Sequence, residues 1–141
     1  MLIFVIQSNQ MLKEQLEKIV DVLKSLPEIK LAYFFGSKAR GDGGQLSDYD
    51  FAFYIGEKNK EKLFKIKFSL RDKISRLLGT DKIDVVMLDM AESPELKYSI
   101  IKEGKLIYEK EPYRVLLEPK ILNEYFDFHS ILSRHGLTKV K

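Results

Sequence analysis

The 141-residue chain contains no cysteine and no tryptophan. The absence of cysteine excludes a disulfide framework and a metal site built from thiolates, and we expect a cytoplasmic protein. No apolar run approaches the roughly 20 residues that span a bilayer. The apolar opening of the chain covers residues 1–6 and lacks the basic start and cleavage site of a signal peptide. We expect this opening to be a short strand or the lead-in to a first helix, and we expect no membrane partner.

The composition indicates a folded domain with a mildly basic surface. Hydrophobic residues make up 45% of the chain, which is enough for a core and argues against disorder. The net charge is +3, and Lys and Arg are mixed with Asp and Glu along the chain. Because this is not the dense basic surface of a nucleic-acid-binding protein, we expect no nucleic-acid partner. We expect one domain over residues 1–141. So short a chain has little room for a separate substrate domain, so a large acceptor must bind at its surface.

Helical and strand patterns alternate along the chain. This order favours an α/β (α+β) fold with a small mixed sheet packed against helices. The helical spacing of apolar residues predicts helices over residues 8–26, 59–78, 94–102 and 112–133. Compact or alternating apolar runs predict strands over residues 31–35, 48–55, 83–88 and 105–108, the last of these at a sheet edge.

Three aspartates on two predicted strands are candidate metal ligands. Asp48 and Asp50 are two residues apart in one strand, so their side chains lie on one face, and like charges so close repel unless a cation lies between them. Asp84 lies near the start of the next strand, and carboxylates are ligands that Mg²⁺ prefers. A pair of this kind is by itself also typical of an exposed edge. The aromatic residues on the opposite face favour a central strand, and acidic side chains on a central strand indicate a functional role.

A glycine-rich turn precedes the aspartates. Gly36 and Ser37 end a buried strand, and glycine allows both a tight turn and the close approach of a phosphate. Ser37 offers a hydroxyl and a backbone N–H, but taken alone this turn is better explained as an ordinary strand-to-helix turn with Ser37 as the N-cap. Arg40 could reach a triphosphate and Lys38 could assist, or both are surface charges.

Together these pieces resemble the DNA polymerase β-like nucleotidyltransferase superfamily. The order is G-S-K-A-R-G-D over residues 36–42, S-D-Y-D over 47–50 and I-D-V-V over 83–86. This form is similar to the minimal nucleotidyltransferase group in particular. The resemblance covers residues 10–110 or so, and none of the motif positions departs from the pattern. It implies the polymerase β-like fold with an extra C-terminal helix, and an active enzyme.

The resemblance also implies roles for these residues. Gly36 and Ser37, with Arg40 nearby, would bind the phosphates of ATP. Asp48 and Asp50 would bind two Mg²⁺ ions, and Asp84 would complete the second metal site and help activate the attacking hydroxyl. The implied reaction is attack of a hydroxyl on the α phosphorus with release of pyrophosphate.

Short proteins of this group are similar to the antitoxins of toxin–antitoxin modules whose partner is a HEPN ribonuclease. The resemblance therefore implies transfer of AMP to a tyrosine of such a toxin, which silences it. The predicted last helix offers an independent indication, because it is apolar over more than one face and such a helix favours two packing partners. Packing wholly against its own sheet is an equal alternative. His129 and His135 are interpreted as surface or helix-end residues.

Two other functions stay open. A small-molecule adenylyltransferase acting on an aminoglycoside-like acceptor would use the same site, although such enzymes usually carry a further substrate domain. A binding module that neutralises its partner by covering it would need no catalysis.

Overall fold

The computed structural model of the chain describes residues 2–44 and 46–136, with side chains from residue 12 onward. Met1 and the side chains of the apolar opening lie outside the described part. Five helices and four strands follow one another in this part of the chain: α1 (Leu2–Lys24), β1 (Leu31–Phe35), α2 (Gly36–Arg40), β2 (Tyr49–Tyr54), α3 (Lys60–Leu78), β3 (Ile83–Met87), α4 (Pro94–Glu103), β4 (Lys105–Glu109) and α5 (Tyr113–Arg134).

The four strands form one mixed sheet in the order β3-β2-β1-β4. β1 pairs antiparallel with β2 and with β4, whereas β2 and β3 are parallel. The parallel pair needs a crossover, and α3 supplies it. The predicted mixed sheet packed with helices is confirmed, β4 is the predicted edge strand, and β2 is the predicted central strand.

Helices cover both faces of the sheet. α1 and α3 pack on one face, where the odd-numbered aromatic residues of β2 join the larger core cluster, with Phe51 and Phe53 fully buried. On the other face Ala52 is also fully buried, in a second cluster that includes Ile100 of α4 and receives Leu117 of α5. Both faces of β2 are therefore buried over most of the strand. Only the start of the strand, around Asp50, escapes this second layer.

The helix ends follow local chemistry. The Asn59 side chain accepts a hydrogen bond from the Lys62 backbone N–H and begins α3, and Gly79 ends it with the left-handed backbone expected of a C-terminal glycine. Ser93 caps α4 in the same way, ahead of Pro94 in the first turn.

The first helix differs from the prediction. It begins at Leu2 rather than at residue 8 and ends at Lys24 rather than at residue 26. The apolar opening contains no glycine or proline to stop a helix, so it extends α1 by a turn and a half and is not a separate strand.

None of the helices in the described ranges is both long enough and apolar enough to cross a membrane.

Candidate active site

The candidate residues meet at one end of the sheet, where β1 ends and β2 and β3 begin. Phe35, the last residue of β1, is the register partner of Asp50 in β2. Asp50 is in turn the register partner of Asp84 in β3. Because side chains alternate along a strand, and Ala52 and Val86 face the α4–α5 layer, Asp50 and Asp84 project to that same side of the sheet. The two acids are therefore neighbours across adjacent strands.

Gly36 brings the turn after β1 into contact with Asp50. Its φ angle is +82°, a left-handed conformation that residues with a Cβ rarely adopt. A Cβ added to Gly36 would overlap the Oδ2 atom of Asp50. Two features therefore favour glycine at this position: the left-handed backbone of the turn and the close approach of a carboxylate to that backbone. This contact joins the Gly36–Ser37 turn to the first carboxylate pair.

The Asp50 carboxyl lies in a place that disfavours its negative charge. Partial burial raises the pKa of Asp50 above its ordinary value, and the charges of Asp84 and Asp48 raise it further. The Arg40 guanidinium opposes this shift in pKa. Three carboxylates therefore interact electrostatically at this end of the sheet, and a cation there would relieve their repulsion.

The residues fit Mg²⁺ by the chemistry of their oxygen donors. Asp48 and Asp84 are exposed and Asp50 is half-buried, and hard carboxylate oxygens are what this ion selects. Within residues 2–44 and 46–136 the side chains form no group of three or more acidic, histidine or cysteine residues close enough to hold a metal ion. The three carboxylates are thus neighbours at this end of the sheet without being a formed ligand set.

The loop after α2 folds back on the helix. The Ser37 carbonyl accepts hydrogen bonds from the backbone N–H groups of Gly41, Asp42 and Gly43. Gly43 lies so close to α2 that an added Cβ would come within 2.8 Å of the Ser37 Oγ atom. The Arg40 side chain is exposed and its Nε atom pairs with Asp42 at 3.3 Å. The Arg40 charge influences Asp50, whose pKa it lowers, and Ser37 directly follows Gly36, which approaches that carboxylate.

The contacts of the Lys38 side chain lie on the side of the sheet away from Asp50. Its Nζ atom donates a hydrogen bond to the Gly44 carbonyl at 3.1 Å and lies 4.6 Å from the centre of the Tyr49 ring. Tyr49 packs against the α1–α3 core, on the side of the sheet away from Asp50.

Sequence reasoning missed two polar contacts. The Asp89 carboxylate accepts backbone N–H hydrogen bonds from Ile55, Gly56 and Glu57, at 2.9, 2.7 and 3.0 Å. The buried Tyr33 hydroxyl donates to Glu118 at 3.1 Å and ties α5 to the sheet. Burial, with the negative charge of Glu118, raises the pKa of Tyr33 far above its usual range. No motif surrounds these residues, and their partners are distant in sequence.

Comparison with known proteins agrees with this geometry. Residues 17–113 match the family model described as Polymerase beta, Nucleotidyltransferase. The protein adenylyltransferase MntA of Aphanizomenon flos-aquae is 30% identical over 95 residues, which is 63% of this chain and 63% of that protein. The Methanocaldococcus jannaschii protein MJ0128, named as a candidate protein adenylyltransferase, is 35% identical over 97 residues, covering 69% of this chain and 93% of that protein.

The fold also matches a solved structure. The MNT antitoxin in complex with the tri-AMPylated HEPN toxin of Shewanella oneidensis superposes with a TM-score of 0.65 at 21% identity, covering 86% of this chain and 92% of that chain. This likeness confirms the predicted polymerase β-like fold. The matched family model, which spans the turn at Gly36 and all three aspartates, shows that the chain belongs to the polymerase β nucleotidyltransferase family.

Proposed function

We propose that this chain is a single-domain, cytoplasmic protein adenylyltransferase that transfers AMP from ATP to a tyrosine hydroxyl of a HEPN-type toxin and so acts as its antitoxin. One observation carries the catalytic part of the proposal. The Asp50 carboxylate lies against the Gly36 backbone and is the register partner of Asp84. The turn that we propose to bind phosphate therefore lies next to two acids. The relatives named as adenylyltransferases support the direction of the chemistry.

Each side chain has a role in this proposal. Ser37 offers its hydroxyl to the β and γ phosphates, and Gly36 lets them approach its backbone. Arg40 offsets their negative charge. Asp84 is exposed and accepts the proton of the acceptor hydroxyl as that oxygen attacks the α phosphorus and pyrophosphate leaves. Asp48, Asp50 and Asp84 would hold two Mg²⁺ ions, which stabilise charge on the entering and leaving oxygens.

The last helix supports a macromolecular partner. Ile121 of α5 is buried, but several large apolar side chains of the helix are exposed to solvent: Val115 (75%), Leu116 (63%), Phe126 (60%) and Ile131 (48%). Its second half packs on α4 through Tyr98 and Tyr125, whose rings stack at 3.7 Å. The exposed apolar residues of α5 are the surface that we assign to the toxin. His129 lies against the Tyr125 ring and His135 ends the helix, so neither is used as a ligand.

Intact mass measurement tests the proposal. The protein is incubated with Mg²⁺, ATP and the product of the adjacent gene, which the proposal expects to be a HEPN-type toxin, and both chains are weighed. We expect a gain of one or more AMP units on the partner, lost with Asp48→Ala and kept with Asp72→Ala. Asp72 is a matched control because it is an exposed aspartate of α3, paired only with Arg76 on the surface.

Other results would point elsewhere. Full activity of Asp48→Ala would refute the assigned site. Neutralisation of the toxin by Asp50→Ala without ATP would favour the alternative of inhibition by binding, which the exposed apolar face of α5 also permits. Transfer to an aminoglycoside-like small molecule and not to the toxin would favour the small-molecule enzyme.

A further inference from the structure

Lys38 connects three segments that surround the candidate site. Its backbone belongs to α2, directly after Ser37. Its Nζ atom donates to the carbonyl of Gly44, at the end of the glycine-rich loop, and lies over the ring of Tyr49, the first residue of β2. Tyr49 is the residue between Asp48 and Asp50. One side chain therefore links the phosphate-binding turn, the loop and the strand that carries two of the carboxylates.

The Gly44 carbonyl is the point at which these contacts meet. It accepts a hydrogen bond from the Ser47 backbone N–H at 3.1 Å as well as the one from Lys38. Ser47 directly precedes Asp48, so the position of the Gly44 carbonyl fixes the direction in which the chain enters β2. Lys38 adds a charged donor to that carbonyl, and hydrogen bonds from charged groups are stronger than neutral ones.

The Tyr49 ring fixes the other end of the link. Tyr49 stacks on the fully buried Phe34 with ring centres 6.5 Å apart and packs against the core, so its ring is attached to the sheet and not to the loop. A cation over a tyrosine face is attracted by the ring. The amine of Lys38 thus connects an anchored ring to a loop carbonyl, on the side of the sheet away from Asp50 and Asp84.

We propose that Lys38 is a positioning residue for nucleotidyl transfer. It fixes the Gly41–Gly44 loop and the Asp48 end of β2 relative to Ser37, and it does not bind the triphosphate. This inference rests on the proposed function for its catalytic consequence. Its structural half, the fixing of the loop, does not depend on which acceptor the enzyme uses.

Three variants test this proposal. Lys38→Met keeps the aliphatic stem over Tyr49 without the charge, and Lys38→Arg keeps a cationic donor. Lys65→Met is a matched control at an exposed lysine of α3. Amide hydrogen exchange is followed at Ser47 and, as a measure of global stability, at Phe53. We expect exchange at Ser47 to be about tenfold faster in Lys38→Met, with Phe53 unchanged. Lys38→Arg and Lys65→Met should exchange like the native protein.

Steady-state kinetics of AMP transfer supply the second readout. We expect kcat of Lys38→Met to fall by roughly ten- to a hundredfold, because small misplacements of reacting groups have effects of this size. The KM for ATP should change much less, and Lys38→Arg should restore most of kcat. A raised KM for ATP with native kcat would overturn the proposal, since Lys38 would then be a nucleotide ligand. Native exchange at Ser47 in Lys38→Met would overturn it as well. If the native protein transfers no AMP, the proposed function fails, and the exchange measurement still decides whether Lys38 fixes the loop.

Discussion

Replacing Gly36 by alanine tests the close approach between the turn and Asp50. Two penalties are expected. A Cβ-bearing residue in the left-handed region costs about 1–2 kcal/mol, and φ at Gly36 is +82°. The new Cβ would also overlap Asp50 Oδ2, and moving that side chain off its rotamer costs about 1 kcal/mol more. We therefore expect Gly36→Ala to lower the free energy of unfolding by about 2–3 kcal/mol.

Gly41→Ala is the matched control. Its φ of +84° imposes the same backbone strain, but among the residues that the structure describes no atom beyond its chain neighbours lies within 4 Å of an added Cβ. The expected cost is the strain alone, about 1–2 kcal/mol. Urea denaturation of the two variants separates the penalties, because their difference reports the contact with Asp50.

Activity should separate the two variants more widely. A carboxylate displaced by about 1 Å can lower the rate roughly a hundredfold, so we expect Gly36→Ala to lose AMP transfer to that extent at temperatures where it is folded. Gly41→Ala leaves Asp50 in place and should lose far less. Equal destabilisation and equal activity of the two variants would refute the reasoning, since it would mean that Asp50 does not depend on the missing Cβ of Gly36.

Three further changes have defined outcomes. The pKa of Asp50 is raised, so the folded state binds this proton more tightly than the unfolded chain does, and stability falls as pH rises from about 4 through the folded pKa. Asp50→Asn should therefore raise the urea midpoint at pH 7 and flatten this pH dependence. The proposed Mg²⁺ site also predicts that Mg²⁺ stabilises the native protein and not Asp50→Asn. Asp89→Ala removes the acceptor of three backbone N–H groups and should lower the free energy of unfolding by about 2–3 kcal/mol in urea denaturation. The folded molecules of this variant should transfer AMP at the native rate, because Asp89 lies at the end of β2 away from the candidate site. Tyr33→Phe should cost about 1.5–3 kcal/mol in the same assay, because its hydroxyl donates to the charged Glu118 carboxylate. Glu118 keeps Arg114 at 2.9 Å as a partner in this variant, so a loss above about 3 kcal/mol would contradict a single hydrogen bond to a charged group.

Sequence patterns predicted most of the sheet because each strand carries its own local signal. The apolar run 31–35 is β1 itself, and the alternation from residue 48 onward places Phe51 and Phe53 on one buried face. The sequence places Asp50 and Asp84 near the starts of two predicted strands, but it does not show that these strands pair. Whether their side chains share a face depends on register, which the tertiary structure alone provides.

The features that the sequence did not predict have no local sequence signal. The start of α1 was misplaced because an apolar segment of six residues has no decisive period. Asp89 resembles any loop aspartate until the fold places it beside the backbone of residues 55–57, which are more than 30 residues away in the chain. Lys38 has the same character, because its partners Gly44 and Tyr49 approach it only after the loop folds back on α2.

The strand order of the sheet has a consequence for the acceptor. In the described part of the chain β3 has a hydrogen-bonded neighbour on one side only, and it carries Asp84, which is exposed. Asp50, by contrast, has β1 and the Gly36 turn on one flank and β3 on the other. In the proposed reaction, the acceptor hydroxyl therefore approaches Asp84 from the side of the outermost strand. For the protein acceptor proposed above, discrimination among acceptors then depends on the match between two protein surfaces.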